Sequence, residues 1–239
     1  MSNSFFHFKE FTVRQDHCAM KVGTDGSLLG AWTSVEKTKR ILDVGTGTGL
    51  VALMLAQRAP STAVDAIDVD HDAFYQASHN VESSPFVGRI RVHLASLAAY
   101  QQTCTCRPYD LIVSNPPYFT KSLKSPESAR NFARHDESLP LTSLLSDAGS
   151  LLTTGGRLAI ILPLTRFESL KLQFAKQGFR LIRLTRVCPR PDKPPKRILF
   201  ELSNADEKTT VPVIETLVLE DIPGNRSTAY RTLMRDFYL

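Results

Sequence analysis

The 239-residue chain is 42% hydrophobic and 22% charged, enough to bury one large core, and it carries a net charge of +5. No run of about 18 apolar residues occurs, which excludes a membrane-spanning helix, and the first ten residues lack the basic start and apolar stretch of a secretory signal. Cys18, Cys104, Cys106 and Cys188 are too few for a disulfide scaffold, and the one-residue gap between Cys104 and Cys106 is shorter than zinc-ligand spacing, so they read as free thiols in a reducing cytoplasm.

Residues 1–35 precede any repeating pattern and are expected to form a small N-terminal cap or hairpin. From about residue 40 the chain alternates strand-like and helix-like stretches. Arg40–Val44 reads as a first strand, Leu50–Arg58 as a helix, Ala63–Val69 as a second strand and Asp72–Glu82 as a helix of mixed polarity. Ile90–Leu94 is a short third strand; Tyr109–Ser114, a continuous apolar run, is a buried fourth. Ser138–Leu152 has helical composition, Thr153-Thr154-Gly155-Gly156 reads as a stop, and Arg157–Leu162 is a fifth strand. Arg166–Gln177 is expected to be a helix closed by Gly178. Phe179–Val187 and Arg197–Leu202 leave no room for a helix between them, so they pair as a hairpin and the last strand runs antiparallel. The pattern predicts an α/β fold: a mostly parallel seven-stranded sheet with helices on both faces. Residues 36–203 would form the core of a single domain spanning 1–239, and 204–239 an extension with a strand at Val211–Leu219 and a helix at Ser227–Phe237.

Two sequence stretches carry chemistry. After the first strand comes Asp43-Val44-Gly45-Thr46-Gly47-Thr48-Gly49, whose glycines allow a sharp turn and close approach of a ligand at the carboxyl end of a sheet. A dinucleotide fingerprint would need glycine at the sixth place counted from Gly45, where Leu50 stands, so a nicotinamide oxidoreductase is disfavoured. Asp68, at the end of the second strand, is placed to accept from ribose hydroxyls, with Asp70 two residues beyond. Asp43 beside the glycines suits a ligand bearing an ammonium group.

The fourth strand ends in Asn115-Pro116-Pro117-Tyr118. Neither proline has an N–H and each fixes φ, so the backbone after the strand is stiff. The Asn115 carboxamide oxygen and the Pro116 carbonyl can then act as paired acceptors for a planar amino group, with the Tyr118 ring as a stacking face. Such a clamp serves an amino-bearing nucleobase or a side-chain amide, and a non-catalytic RNA-binding module would leave the glycine loop and Asp68 without purpose. Basic residues gather near it: Lys121, Lys124, Arg130 and Arg134 after the motif, and Arg190, Lys193, Lys196 and Arg197 in the 180–197 segment, where Asp192 is the single acid. The six histidines are scattered and show no metal-ligand spacing, so no metal is expected.

In combination these motifs resemble the class I S-adenosylmethionine-dependent methyltransferases, whose Asn-Pro-Pro-Tyr form marks enzymes acting on exocyclic or amide nitrogens. Phe8-Lys9-Glu10-Phe11-Thr12-Val13, Cys18 to Gly26, Leu28 to Trp32, Lys193-x-Pro-x-x-Arg197 and the terminal Asp236-Phe237-Tyr238-Leu239 are similar to the bacterial tRNA1(Val) adenine N6-methyltransferase family. The resemblance implies a Rossmann-like methyltransferase fold and N6-methylation of the adenosine 3′ of the anticodon, with S-adenosyl-L-methionine as cofactor and tRNA as partner. It implies that Asp43, Gly45 and Gly47 line the methionine end of the cofactor, with Lys21, Thr24 and Asp25 nearby, that Asp68 holds the ribose, and that Asn115, Pro116 and Tyr118 form the base site, Asn115 touching the cofactor as well. The adenine-contacting acid common at the end of the third strand is replaced by Ser96, a weaker acceptor. A glutamine N5-methyltransferase or a guanine N2-methyltransferase is compatible with the same clamp; the stretch from Lys21 to Gly26 and the basic hairpin favour RNA.

Overall fold

The computed structural model describes residues 4–16, 21–103, 108–117, 141–205 and 211–238. Its centre is an eight-stranded sheet with helices on both faces. In chain order the strands are β3 (Arg40–Val44), β4 (Ala63–Asp68), β5 (Ile90–Leu94), β6 (Tyr109–Ser114), β7 (Leu152–Pro163), β8 (Arg180–Cys188), β9 (Arg197–Ser203) and β10 (Val213–Val218). The sheet order is β10-β8-β9-β7-β6-β3-β4-β5. Every adjacent pair is parallel except those made by β9, which lies antiparallel between β7 and β8. The expected class and the antiparallel hairpin strand hold; the strand count is eight because Val213–Val218 adds itself parallel to β8 at the edge.

Strand residues alternate between two apolar layers, as the pleat requires. Ile41, Leu111, Val113, Ala159 and Ile161 face one cluster, while Leu42, Val44, Ile112, Leu158, Ile160 and Leu162 face the other. Helices α1 (Thr24–Trp32) and α2 (Leu50–Arg58) cover the first layer, and α5 (Leu141–Leu151) and α6 (Leu164–Leu170) pack on the second. Helices α3 (His71–Glu82) and α4 (Leu97–Thr103) follow β4 and β5.

Two local expectations are corrected. The Gly155-Gly156 pair does not end a helix-to-strand loop but sits inside β7, where Gly155 takes φ +77° and five residues of β7 span two of β6, making a bulge. The helix after β7 stops at Leu170 and continues as tight 3-10 turns to Gln177; Gly178 closes it at φ +74°, with the Phe179 N–H reaching back 2.9 Å to the Phe174 carbonyl. The N-terminal segment forms a hairpin, one of the two forms expected, from β1 (Phe5–His7) and β2 (Thr12–Arg14), and continues into α1, which is buried from Gly26 to Trp32.

The two ends of the chain meet on α2. Phe8 stacks on Phe11 and on Tyr238, the Lys9 N–H bonds the Phe237 carbonyl at 2.9 Å, and Gln57 holds the Asp236 carbonyl at 2.8 Å. Phe8, Phe11, Tyr230, Met234 and Phe237 belong to the same apolar cluster as α1 and α2. Tyr230 and Met234 come from α7 (Thr228–Met234), capped by the Ser227 hydroxyl. Among the described residues no helix is long and apolar enough to cross a membrane.

Candidate active site

The order of strand addition reverses between the parallel neighbours β3 and β6: β3 leads outward to β4 and β5, β6 outward to β7. Such a switch point opens a crevice at the carboxyl ends of the strands. The glycine loop leaves β3 on one side of it and Asn115 leaves β6 on the other. The Ser114 hydroxyl, buried to 1%, donates to the Val44 carbonyl at 2.9 Å and so locks the two exits side by side.

Gly45, Gly47 and Gly49 all adopt positive φ (+72°, +57° and +79°), a conformation that disfavours any side chain. The loop is tied to β4: the Gly45 and Thr46 N–H groups both bond the Ile67 carbonyl, at 2.9 and 3.0 Å. The Gly47 N–H donates to Asp68 Oδ2 at 2.8 Å, and the Asp70 N–H to Asp68 Oδ1 at 3.0 Å. Asp68 therefore braces the loop while standing at the strand end, and burial raises its pKa above the ordinary carboxylate range. Asp70 does different work: it caps α3 through the Ala73 N–H at 2.9 Å. Asp43 is 1% exposed and accepts the Thr46 hydroxyl at 2.7 Å; burial, opposed by that bond, lifts its pKa to about 7.

Asn115 contributes the most telling atom. Its Oδ1 is buried and has no hydrogen-bond donor among the described residues. Buried carboxamide oxygens are nearly always satisfied, because leaving one bare costs about 1–3 kcal/mol. Helix α1 closes over its other end: a Cβ on Gly26 would stand 3.9 Å from Asn115 Nδ2 and 3.2 Å from Leu50 Cδ2. Pro116 is buried and Pro117 exposed; Tyr118 and the basic Lys121, Lys124, Arg130 and Arg134 lie outside the described residues.

The other sequence-derived candidates distribute as follows. Thr24 opens α1 and is exposed, Lys21 precedes it by three residues, and Asp25 in the first turn pairs with Arg197, Oδ2 to Nε 2.8 Å. Ser96 follows β5 and caps α4 by accepting the Ala99 N–H at 3.1 Å; it lies next to the Asp68 end through the Ala95 N–H to Asp68 carbonyl bond of 2.9 Å. Arg190 and Lys193 flank Asp192 at 3.5 and 3.4 Å on the exposed turn between β8 and β9, and Lys196 is exposed just before β9. Because β9 is antiparallel to both β7 and β8, β8 runs in the same direction as β7, and the turn after it lies at the same end of the sheet as the crevice.

Sequence reading missed Ser114, Gly26 and Asn80. Asn80, buried to 1%, ties the Thr48 carbonyl of the glycine loop to β2 by bonds of 2.8 to 2.9 Å with the Arg14 backbone and 2.9 Å with Thr48. Only Gly26 left a legible trace, its four-residue spacing to Gly30 on one helix face. Among the described residues no group of three His, Cys, Asp or Glu side chains is placed to hold a metal ion.

A parallel switched sheet, a positive-φ glycine loop braced by a strand-end acid, and a bare carboxamide acceptor beside it define a Rossmann-like methyltransferase. The family model described as "Methyltransferase small domain" matches residues 17–174. A solved predicted O-methyltransferase of Agrobacterium tumefaciens superposes with a TM-score of 0.69 at 17% identity, covering 89% of this chain and 96% of that one. A relative in Parabacteroides distasonis, named tRNA1(Val) (adenine(37)-N6)-methyltransferase, is 50% identical over 240 residues, covering 100% of this chain and 99% of its own. A relative of the same name in Trichodesmium erythraeum is 44% identical over 242 residues with the same coverage. The chain belongs to the tRNA1(Val) (adenine(37)-N6)-methyltransferase family.

Proposed function

We propose that this chain methylates the N6 amino group of an adenosine in tRNA, the nucleotide at position 37 of tRNA1(Val) named for its relatives, with S-adenosyl-L-methionine as donor. It would act in the cytoplasm as one unit along its whole length, a reading supported by the apolar cluster its two ends share. The observation that carries the proposal is Asn115 at the exit of β6 beside the glycine loop, its buried Oδ1 met by no donor among the described residues.

The residues present fit the cofactor. A Cβ on Gly45 would meet nothing within 4 Å, so the loop borders open space, and Asp43 and Asp68 stand at its two ends. Asp43, Gly45 and Gly47, with Lys21, Thr24 and Asp25, would hold the methionine part; Asp68 keeps lone pairs for the ribose, and Ser96 lies near the adenine end. When bound, S-adenosyl-L-methionine supplies a methyl group already activated for displacement, so the chain's own task is positioning.

An adenine amino nitrogen shares its lone pair with the ring and is a poor nucleophile. Asn115 Oδ1 and the Pro116 carbonyl, accepting its two N–H bonds, would favour a pyramidal nitrogen. Positive charge developing there strengthens both contacts, so they favour the transition state over the ground state. The proton then passes to solvent, and no covalent enzyme intermediate is needed. An anticodon loop is single-stranded, which makes turning its base out inexpensive, and Tyr118 would offer a stacking face. Arg190, Lys193 and Lys196, with Lys121, Lys124, Arg130 and Arg134, would bind phosphates.

Incubation with labelled S-adenosyl-L-methionine and total tRNA, followed by nucleoside analysis, should yield N6-methyladenosine. Asn115→Ala should lose about 10²-fold or more in turnover while cofactor affinity stays within about twofold. Label in N2-methylguanosine or in protein would refute the substrate, and cofactor binding lost in step with activity would refute the clamp.

A further inference from the structure

Arg197 belongs by sequence to the basic cluster, yet its guanidinium turns inward. Its Nε donates to Asp25 Oδ2 at 2.8 Å, and one terminal nitrogen donates to the Lys196 carbonyl at 3.2 Å; the two side chains are 30% and 19% exposed. Asp25 is in the first turn of α1, one residue before Gly26, the position that faces Asn115. The far end of α1 is fixed independently: Trp32 Nε1 bonds Thr185 Oγ1 at 2.9 Å, Arg58 holds the Gly30 and Thr33 carbonyls at 2.9 and 2.6 Å, and Gly30 lies against Met54. The near end has no capping side chain, since its N-cap is Gly23. A carboxylate in that turn, held by a guanidinium, fixes the turn's position and complements the helix dipole. Arg197 itself is the first residue of β9, in register with Pro163 at the end of β7 and Val187 of β8, and follows directly on the turn bearing Arg190, Lys193 and Lys196.

Building on the methyl-transfer reading above, we infer that Arg197 is a positioning residue, not a phosphate ligand: through Asp25 it holds the first turn of α1 against Asn115 and joins the RNA-facing hairpin to the base clamp. A charge already compensated by Asp25 releases no counterion when RNA binds, so Arg197 should not contribute to the salt dependence of binding, whereas each exposed basic residue on a phosphate contributes about 0.7–0.9 to the slope of log K against log salt. Loss of the pair instead lets the clamp drift, and a displacement on the order of 1 Å costs up to about 10²-fold in rate.

The test compares Arg197→Ala, Arg197→Lys, Asp25→Asn and the double variant with Lys193→Ala. Arg197→Ala should lower kcat roughly tenfold to a hundredfold with the KM for tRNA and the salt slope unchanged, and Arg197→Lys should recover part of kcat. Asp25→Asn combined with Arg197→Ala should be no worse than the more severe single change, both in kcat and in urea midpoint. Lys193→Ala should show the opposite split, with weaker tRNA binding, a shallower slope and near-normal kcat. A salt slope reduced by Arg197→Ala as much as by Lys193→Ala, or two lesions that combine independently, would overturn the inference. If the wild type forms no N6-methyladenosine, the functional reading fails, while the urea cycle still decides whether the pair is coupled.

Discussion

Replacing Asp43 with Asn tests the electrostatics of the glycine loop. Asp43 is buried under the loop, and burial, only partly offset by the Thr46 hydroxyl and the Ala52 N–H, raises its pKa from the carboxylate value of 3.8 to about 7. A group whose folded pKa is raised holds its proton longer when folded than when unfolded. Below pH 3.8 both states are protonated and the burial carries no penalty; from there to about 7 the unfolded chain ionises first, so stability falls with rising pH across that window and levels off above it. A shift of about three units corresponds to ~4 kcal/mol, the largest share of the pH dependence this carboxyl can supply. Asn cannot ionise, so Asp43→Asn should flatten the fall; its one oxygen can accept from Thr46 or Ala52 but not both, a cost that is the same at every pH, so the stability of the variant relative to wild type should rise by up to ~4 kcal/mol between pH 4 and pH 8. Urea unfolding followed by circular dichroism at pH 4, 6 and 8 measures this directly. Parallel pH profiles for the two proteins would refute the assignment of a buried, proton-holding Asp43. An ammonium-bearing ligand would favour the ionised form, so the same substitution should weaken cofactor binding even as it relieves the free protein's loss of stability with rising pH, the trade expected of a site group.

Two further predictions concern packing and charge. Gly30→Ala would place a Cβ 2.7 Å from Met54 Sδ and 2.9 Å from Met54 Cβ, forcing α1 and α2 apart, and should destabilise by about 1–3 kcal/mol, read as a lower urea midpoint with unchanged slope. Arg190→Ala, Lys193→Ala and Lys196→Ala together, which remove two net charges once Asp192 is counted against them, should weaken tRNA binding and lower the salt slope by roughly 1.5 to 2, measured by filter binding across salt concentrations.

Much of the fold is legible because its strands are buried on both faces and read as apolar runs between turn residues: Arg40–Val44, Tyr109–Ser114 and Arg197–Ser203 fall where their composition places them. Helix α1 is not legible for the opposite reason. It is buried all round from Gly26 to Trp32, so it shows no polar stripe, and Gly23, Gly26 and Gly30 read as breakers when two of them serve close packing. The bulge in β7 hides behind Gly155-Gly156 in the same way. At the site, the glycine loop, Asp68 and Asn115 could be placed from sequence because they stand at strand ends, where an open α/β sheet binds its ligands. Ser114, Asn80 and Arg197 could not, because each acts on a residue 30 or more positions away, and nothing local distinguishes a serine that locks two strands from one that faces water.

Ser114 shows how the fold places an acceptor that no described residue satisfies. Parallel neighbours β3 and β6 run about 4.8 Å apart, and the Ser114 hydroxyl, bonded to the Val44 carbonyl at 2.9 Å, fixes their exits. From that point β3 runs into the glycine loop, whose Gly45, Thr46 and Gly47 N–H groups are committed to Ile67 and Asp68, and β6 runs into two prolines that have no N–H. Helix α1 approaches with Gly26, which contributes no side chain either. The surrounding residues are thus chosen for what they withhold. An acceptor that no described residue meets is open to a donor brought by an incoming group, and an exocyclic amine brings two N–H bonds.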